Sequence, residues 1–255
     1  MDAKLKQDFL ERWQRYFPGA ELPLTFFYTD ALDGAEHQQP ALTSRCLICD
    51  LARARGGTAL AFDAQSAMCS GGLRYLGFVQ QLRPNFEYFL SCGIPDKLEG
   101  ERYKKTPELV RELLEHAPKF AAPAKYAVFK RWDLLEPGDE PAVVIFFATP
   151  DVLSGLFTLS GFEVAETQSV IAPFSAGCGS IVQYPYLELS REQPRAVLGM
   201  FDVSARPCVP AGTLSFAVPL PKFARMVADM DESFLITESW EKVRRRIAGQ
   251  PADAS

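Results

Sequence analysis

The spacing of apolar side chains divides the chain into alternating helices and short strands. Near the N-terminus, apolar residues recur at helical spacing: Leu5, Phe9, Trp13 and Tyr16. Pro18 and Gly19 end this pattern, because proline and glycine rarely continue a helix. The pattern predicts a helix over residues 3–17 that covers one face of a sheet with its apolar side.

Short runs of apolar, aromatic and β-branched residues have the character of buried strands. They cover residues 22–29, 58–62, 125–132, 142–149, 169–172 and 213–218. Helical patterns lie between and after these runs. They cover residues 45–55, 107–116, 152–159, 221–230 and 238–248. This alternation of strands and helices is typical of an α/β protein.

Two of the predicted helices begin beside cysteines. Thr43 or Ser44 is expected to cap the helix over residues 45–55, which contains Cys46 and Cys49. Asp63 is expected to cap a further helix that contains residues 67–74 and places two glycines in mid-helix.

The order of elements repeats in the two halves of the chain. The halves cover residues from about 20 to 135 and from about 140 to 235. Each half starts with an aromatic strand and later carries a Ser-Ala-X-Cys step, which ends at Cys69 in the first half and at Cys178 in the second. We therefore predict a fold of the α/β or α+β class, with two pseudo-repeated halves forming one compact unit around a mixed sheet. The whole of residues 1–255 is expected to form one domain. The place where the halves meet is the natural position for a ligand-binding cleft.

The composition favours an ordinary globular protein over a general nucleic-acid binder. Hydrophobic residues make up 47% and charged residues 23% of the 255 positions, so a core can form without cross-links. The net charge of -5 lacks the excess of lysine and arginine that binding to phosphates requires. Residues 97–131 are an exception, with nine basic side chains against five glutamates, and we interpret them as a solvated helix face. An anion-binding face is the alternative.

The apolar runs also bear on the cellular compartment. None of them reaches the roughly 18 residues of a membrane span, and the N-terminus lacks the apolar core of a signal peptide. We therefore expect a cytoplasmic protein with no membrane partner. In the cytoplasm cysteines stay reduced and serve as core residues, ligands or redox groups. The six cysteines are Cys46, Cys49, Cys69, Cys92, Cys178 and Cys208.

The two Ser-Ala-X-Cys steps are the first candidate site. Small residues next to a cysteine let a ligand or another backbone approach closely, and backbone amides at a helix start can bind an anion. We predict a pocket that binds a small molecule or cofactor between the two halves. Its expected lining is Cys69, Gly71, Gly72, Arg74, Gly177, Cys178 and Gly179.

A metal ion or an iron–sulfur cluster is one candidate occupant of this site. Thiolates select such soft metals, and about four of them must converge at one point. The cysteines that we select as ligands are Cys49, Cys69, Cys178 and Cys208. Arg45, Arg74 and Arg206 each lie near a cysteine and would oppose the negative charge of a thiolate-rich centre.

Two other interpretations compete with cofactor binding. In the first, the cysteines are plain core residues of a non-catalytic interaction protein, since free cysteine is among the most buried residue types. In the second, Cys46 and Cys49 form the redox pair of a dithiol oxidoreductase, and the helix dipole lowers the pKa of Cys46. The sequence does not decide between these, nor does it fix the oligomeric state.

Several segments together resemble a known family. The most specific is the Cys-Ser-Gly-Gly run that begins at Cys69 and leads to Leu-Gly-Phe at residues 76–78. The others are residues 46–49, 127–135, 141–150, 176–178 and 218–221. Over nearly its whole length the chain resembles the bacterial and archaeal family called domain of unknown function 169. The resemblance implies a single family domain without an assigned reaction, and it supplies no catalytic residues.

Overall fold

A computed structural model describes residues 1–32 and 34–250, which contain eight strands and nine α-helices. The strands are β1 Leu24–Thr29, β2 Glu36–His37, β3 Leu60–Phe62, β4 Tyr126–Arg131, β5 Val143–Ala148, β6 Val170–Ile171, β7 Ala196–Gly199 and β8 Leu214–Pro219. The helices are α1 Ala3–Tyr16, α2 Leu47–Arg55, α3 Ser70–Tyr75, α4 Phe86–Phe89, α5 Pro107–His116, α6 Pro150–Ser160, α7 Tyr184–Leu187, α8 Leu220–Asp229 and α9 Glu238–Ile247. The structure thus has the predicted mixed α/β class.

All eight strands form one sheet, in the order β2-β3-β4-β1-β5-β8-β7-β6. The outermost pairs, β2 with β3 and β6 with β7, are parallel, and every other neighbouring pair is antiparallel. The centre is the antiparallel pair β1 and β5, in which Leu24 lies opposite Ile145. All six residues of β5 are buried, because helices or turns cover both faces of the sheet.

One face of the sheet is packed with aromatic rings. Phe9 of α1 lies 5.1 Å from Phe223 and 5.2 Å from Trp132 between ring centroids, and the rings of Trp13 and Phe17 stack at 4.3 Å. The helices that bring these and neighbouring side chains to the face are α1, α6, α8 and α9. Such edge-to-face and stacked pairs stabilise a core beyond the area that they bury. We call this side of the sheet the aromatic face.

The other side of the sheet carries the cysteines, and we call it the cysteine face. Its core contains Leu47 and Ile48 of α2, together with Ile181 and Val182 of a π-helix over Gly179–Gln183. Cys178 is buried in this core, while Cys46 and Cys208 pack against it from the outside. Single turns of π-helix are rare and are found mostly at functional sites.

The first four strands and the last four have the same topology. In each set the second and third strands are parallel with helical turns between them, and the third and fourth are antiparallel. By position in this topology Cys46 corresponds to Cys178, since each precedes the helical turns between the parallel strands, and Cys69 corresponds to Cys208. The sequence had matched Cys69 with Cys178. The duplication of the chain itself stays a prediction.

Two predicted helix starts were wrong. Helix α2 is capped by Cys46 rather than by Thr43 or Ser44, and α3 is capped by Cys69 rather than by Asp63. Asp63 instead accepts a hydrogen bond from the Gln65 amide in a turn ahead of α3. Cysteine was overlooked because serine, threonine, asparagine and aspartate are the usual caps.

The basic stretch over residues 97–131 is not one solvated helix face. It runs through loops, helix α5 and strand β4. Within β4, Lys130 is buried and its ammonium group lies 3.0 Å from a carboxylate oxygen of the buried Asp139. The Arg131 guanidinium binds Asp133 at 2.7 Å. At least these two charges serve the fold, because a buried lysine must be paired.

The lengths of the helices also bear on membrane insertion. Within residues 1–32 and 34–250, no helix is long and apolar enough to span a bilayer.

Candidate functional site

A short parallel bridge brings two distant cysteines together. Arg45 and Met68 pair as neighbouring strands do: the Arg45 amide donates to the Ala67 carbonyl at 3.1 Å, and the Cys69 amide donates to the Arg45 carbonyl at 2.8 Å. The chain then turns into a helix on each side. Cys46 and Cys69 therefore stand next to each other, each at the N-terminus of its helix.

The Cys69 sulfur lies among hydrogen-bond donors at the start of α3. It accepts a hydrogen bond from the Gly72 amide at 3.3 Å, which makes the sulfur itself the N-cap group. A second hydrogen bond comes from the thiol of Cys46. Both contacts favour a negatively charged sulfur at Cys69.

Cys208 reaches the same place from the second half of the chain. It ends a 3-10 turn over Arg206–Cys208 that packs on helix α2, and its sulfur forms a disulfide with Cys49. The two cysteines are 159 residues apart in sequence, and their Cα atoms are 4.7 Å apart. The sulfur atoms of Cys46, Cys49 and Cys208 all lie within 4.8 Å of one another.

Cys178 is buried in the core of the cysteine face and immediately precedes the π-helix. It is close enough to Cys69 and Cys46 for their charges to interact. The segment is held in place by Asp202, whose carboxylate accepts a hydrogen bond from the Gly177 amide at 3.0 Å. We use the name cysteine cluster for these five residues: Cys46, Cys49, Cys69, Cys178 and Cys208.

Exposure changes across the cysteine cluster. Cys49 is exposed, Cys178 is buried, and the other three members are half-buried. The sulfurs thus lead from the solvent into the core. The sixth cysteine, Cys92, is exposed and lines a separate surface depression of about 520 Å³ together with residues 94–100 and Arg102.

The contacts of each thiol set its acidity. The hydrogen bond from Cys46 and the amides at the helix start lower the pKa of Cys69 to about 6. Donation of that hydrogen bond, together with burial, raises the pKa of Cys46. Burial also raises the pKa of Cys178 well above its ordinary value. The expectation that Cys46 is the acidic thiol was therefore wrong, because its hydrogen bond to Cys69 and its burial raise its pKa more than the amides of Ile48 and Cys49 lower it.

The four glycines predicted to line the site have different surroundings. A Cβ atom at Gly72 would lie 2.5 Å from Met68 Cγ, and one at Gly177 would lie 3.1 Å from Met200 Sδ. Gly179 is blocked by the side chains of Ser175 and Tyr75. These three glycines therefore permit close packing. Among the described residues, Gly71 has no atom within 4 Å of such a Cβ and faces open space.

The three arginines near cysteines make contacts that support the local backbone. Arg74 donates to the Gln80 carbonyl at 2.6 Å. Arg206 donates to the Ala211 carbonyl at 2.7 Å and to the Thr213 carbonyl, which holds the loop that carries Cys208. Arg45 contributes its backbone to the bridge described above. The contacts of Arg206 thus position Cys208.

Of the four cysteines predicted as metal ligands, Cys49 and Cys208 have their sulfurs within 4.8 Å of one another and of Cys46, while Cys69 lies beside Cys46 and Cys178 is buried. The sequence placed Cys46 only in a redox pair with Cys49, whereas Cys49 is bonded to Cys208. The role of Asp202 was missed, because an aspartate in a loop 25 residues from its partner gives no local signal. Whether the site binds a metal or a small molecule stays a prediction at this point.

The fold and the site together define a mixed α/β protein with one eight-stranded sheet and a partly exposed group of cysteines on one face of it. The model of the family domain of unknown function 169, described as an uncharacterised ArCR family, matches residues 22–229. The chain belongs to this family. No curated protein and no solved structure matches the chain.

Proposed function

We propose that the reduced chain binds a thiophilic metal centre, a single ion or an iron–sulfur cluster, through the cysteine cluster. The observation that carries this proposal is that the sulfurs of Cys46, Cys49 and Cys208 lie within 4.8 Å of one another, with Cys69 beside Cys46. Cys46, Cys49 and Cys69 come from the first half, and Cys178 and Cys208 come from the second. The cofactor would therefore bind between the two halves.

The chemistry of the donor set fits such a centre. Thiolates select zinc, copper(I) and iron–sulfur clusters. Thiolates that share one zinc ion lie about 4 Å apart, since each Zn–S bond measures about 2.3 Å. The Cys46 sulfur lies within 4.8 Å of those of Cys49 and Cys208, which is compatible with that spacing once the bond between the latter two is reduced. A fourth thiolate is available at Cys69, which already accepts hydrogen bonds as an anion would.

Metal binding and the disulfide exclude each other at Cys49 and Cys208. A sulfur in a disulfide cannot be a thiolate ligand, so the metal-binding form has the Cys49–Cys208 bond reduced. In that form the contacts of Arg206 and the packing of α2 still hold the two thiols close together. The disulfide form then corresponds to oxidised protein without metal.

The alternative that the cysteines are plain core residues is less well supported. Core cysteines are usually fully buried, whereas Cys49 is exposed and three further members of the cluster are half-buried. Only Cys178 among the five has the burial of a core residue. Exposed thiols gathered at one place are a liability in a packing role, because they oxidise.

Purification without oxygen tests the proposal. We expect about one metal centre per chain by elemental analysis. Visible absorbance from sulfur-to-iron charge transfer would identify an iron–sulfur cluster, and a colourless protein with zinc would identify a single ion. The Cys46→Ala variant should lose most of the metal, because Cys46 is the central sulfur of the cluster.

Cys92→Ala is the matched control, since Cys92 is exposed and lies outside the cluster. It should keep the full metal content. A metal-free, colourless wild-type protein after anaerobic purification and reconstitution with zinc or with iron and sulfide would overturn the proposal. The core interpretation would then be preferred.

A further inference from the structure

We propose that the Cys49–Cys208 disulfide is one of two positions of a mobile cross-link, and that Cys46 moves it by attacking the sulfur of Cys49. The product is a Cys46–Cys49 disulfide within one helix start and a free Cys208. This inference concerns the oxidised, metal-free chain and goes beyond metal binding. It does not depend on a metal being bound in the reduced chain.

The geometry that carries the inference is the placement of a third sulfur beside a disulfide. Exchange begins when a thiolate attacks one sulfur of a disulfide, so the attacking sulfur must be adjacent. The sulfur of Cys46 lies within 4.8 Å of both sulfurs of the Cys49–Cys208 bond. No movement of an element is needed to bring the three atoms together.

The product is also compatible with the local backbone. Cys46 is the N-cap of α2, and Cys49 is the third residue of that helix. This is the Cys-X-X-Cys arrangement, which forms redox-active disulfides in oxidoreductases. Attack on Cys49 is therefore favoured. Attack on Cys208 would instead form a Cys46–Cys208 bond, which would still join the start of α2 to the 3-10 turn.

The step balances without an external oxidant. Cys46 gives up its proton to water, and the Cys208 thiolate takes up a proton after the step, so protons balance. The Cys46 electron pair forms the Cys46–Cys49 bond, the Cys49–Cys208 bond breaks, and its electron pair leaves on Cys208 as a thiolate. One disulfide is present before and after the step.

The exchange changes what the disulfide constrains. The Cys49–Cys208 bond ties helix α2 of the first half to the 3-10 turn over Arg206–Cys208 of the second half. A Cys46–Cys49 bond joins residues on the same helix and places no constraint between the halves. The shift therefore unlocks the two halves at the cysteine cluster while the chain remains oxidised.

Disulfide mapping of the oxidised full-length chain tests the inference. Trypsin releases residues 46–53 as one peptide with both Cys46 and Cys49, and residues 196–222 as one peptide with Cys208, because Pro207 blocks cleavage after Arg206. Rapid alkylation before digestion records which thiols are free. We expect both forms in one sample: the cross-linked pair of peptides, and an internally linked 46–53 peptide with alkylated Cys208.

Two variants and a control make the result decisive. In Cys46→Ser the alkylation of Cys208 should fall by about tenfold or more. Without the Cys46 thiol nothing attacks Cys49, so Cys208 is not released from the disulfide. Cys208→Ser, oxidised with glutathione disulfide, should form the internal Cys46–Cys49 bond. This variant tests whether the proposed product can form, and it does so even if Cys46→Ser fails to fold. Cys92→Ser should match the wild type.

The inference is overturned if Cys208 in the wild type is alkylated no more than in Cys46→Ser, or if Cys208→Ser never yields the internal bond. Failure of metal binding would instead be seen in the reduced protein by its metal content. The two proposals therefore fail in different samples and by different measurements.

Discussion

The aromatic face and the cysteine face of the sheet have opposite design. On the aromatic face, rings from α1, α6, α8 and α9 interlock and almost every side chain is buried. On the cysteine face, helices are short, cysteines take the cap positions, and polar sulfurs lead out to the solvent. The difference teaches that both faces hold a buried core and that the thiols lie on the cysteine face, so substitutions on the aromatic face separate stability from chemistry.

The largest expected effect comes from removing a ring on the aromatic face. Phe146 is 1% exposed and contacts Trp13 at 5.1 Å between centroids. Phe146→Ala should lower the free energy of unfolding by about 4 kcal/mol, from lost burial and the cavity left behind. Urea denaturation measures this value.

Phe201→Ala is the matched control for that substitution, because Phe201 is 57% exposed. It should change the unfolding free energy by less than about 0.5 kcal/mol. If folded Phe146→Ala also loses its metal, the separation of stability from chemistry that we draw between the two faces is contradicted.

The second effect concerns the disulfide on the cysteine face. A cross-link over 159 residues strongly restricts the unfolded chain. We therefore expect the free energy of unfolding of the oxidised wild type to be about 3 kcal/mol higher than that of oxidised Cys208→Ser. Under reducing conditions the two proteins should be closely matched. Urea denaturation with and without reductant checks both statements, and an oxidised wild type that is insensitive to reductant would refute them.

The third effect is smaller and compares two neighbouring glycines of α3. Gly72→Ala places a Cβ 2.5 Å from Met68 Cγ and should cost about 2 kcal/mol, since the core must shift. Gly71→Ala meets open space and should be neutral or slightly stabilising, because alanine favours helix. Thermal unfolding of the pair measures the difference. Equal stabilities would show that the tight fit at Gly72 is unimportant.

The sequence predicted the four central strands and the edge strand β6, whereas β2 and β7 were missed. Strands β1, β4, β5 and β8 are buried in the middle of the sheet, so their residues form continuous apolar runs. Strand β2 has only Glu36 and His37, which lie in a polar stretch predicted to be a loop. Its pairing with β3 depends on a tertiary contact that no local pattern contains.

The cysteine cluster was predictable in part. Small residues beside Cys69 and Cys178 indicated that these two cysteines lie at one site, and that pairing stays a prediction, whereas Cys49 and Cys208, both selected as ligands, are brought together by the structure. The bond between Cys49 and Cys208 could not be predicted, because connectivity does not follow from spacing. The hydrogen bond between Cys46 and Cys69 depends on the bridge at Arg45, which is also a tertiary contact.

The smallest effect, and the finest test of the cysteine face, is the acidity of Cys69 in metal-free protein that retains the Cys49–Cys208 disulfide. Its pKa of about 6 means that the thiolate predominates above pH 6 and that alkylation slows roughly tenfold per pH unit below it. A depressed pKa also stabilises the fold above the ordinary thiol pKa, and this contribution is lost as the pH falls through about 6. Mass spectrometry of the tryptic peptide over residues 56–74, whose one cysteine is Cys69, follows the alkylation.

Replacing the donor tests the cause of this acidity. In Cys46→Ala the hydrogen bond from Cys46 is absent, so the midpoint of alkylation should move up toward that of an ordinary thiol. It should not reach that value, because the Gly72 amide still donates to the sulfur. Cys92→Ser should leave the profile unchanged. A midpoint in Cys46→Ala that stays near 6 would assign the acidity to the start of α3 alone, and the pairing of Cys46 with Cys69 would lose its chemical role.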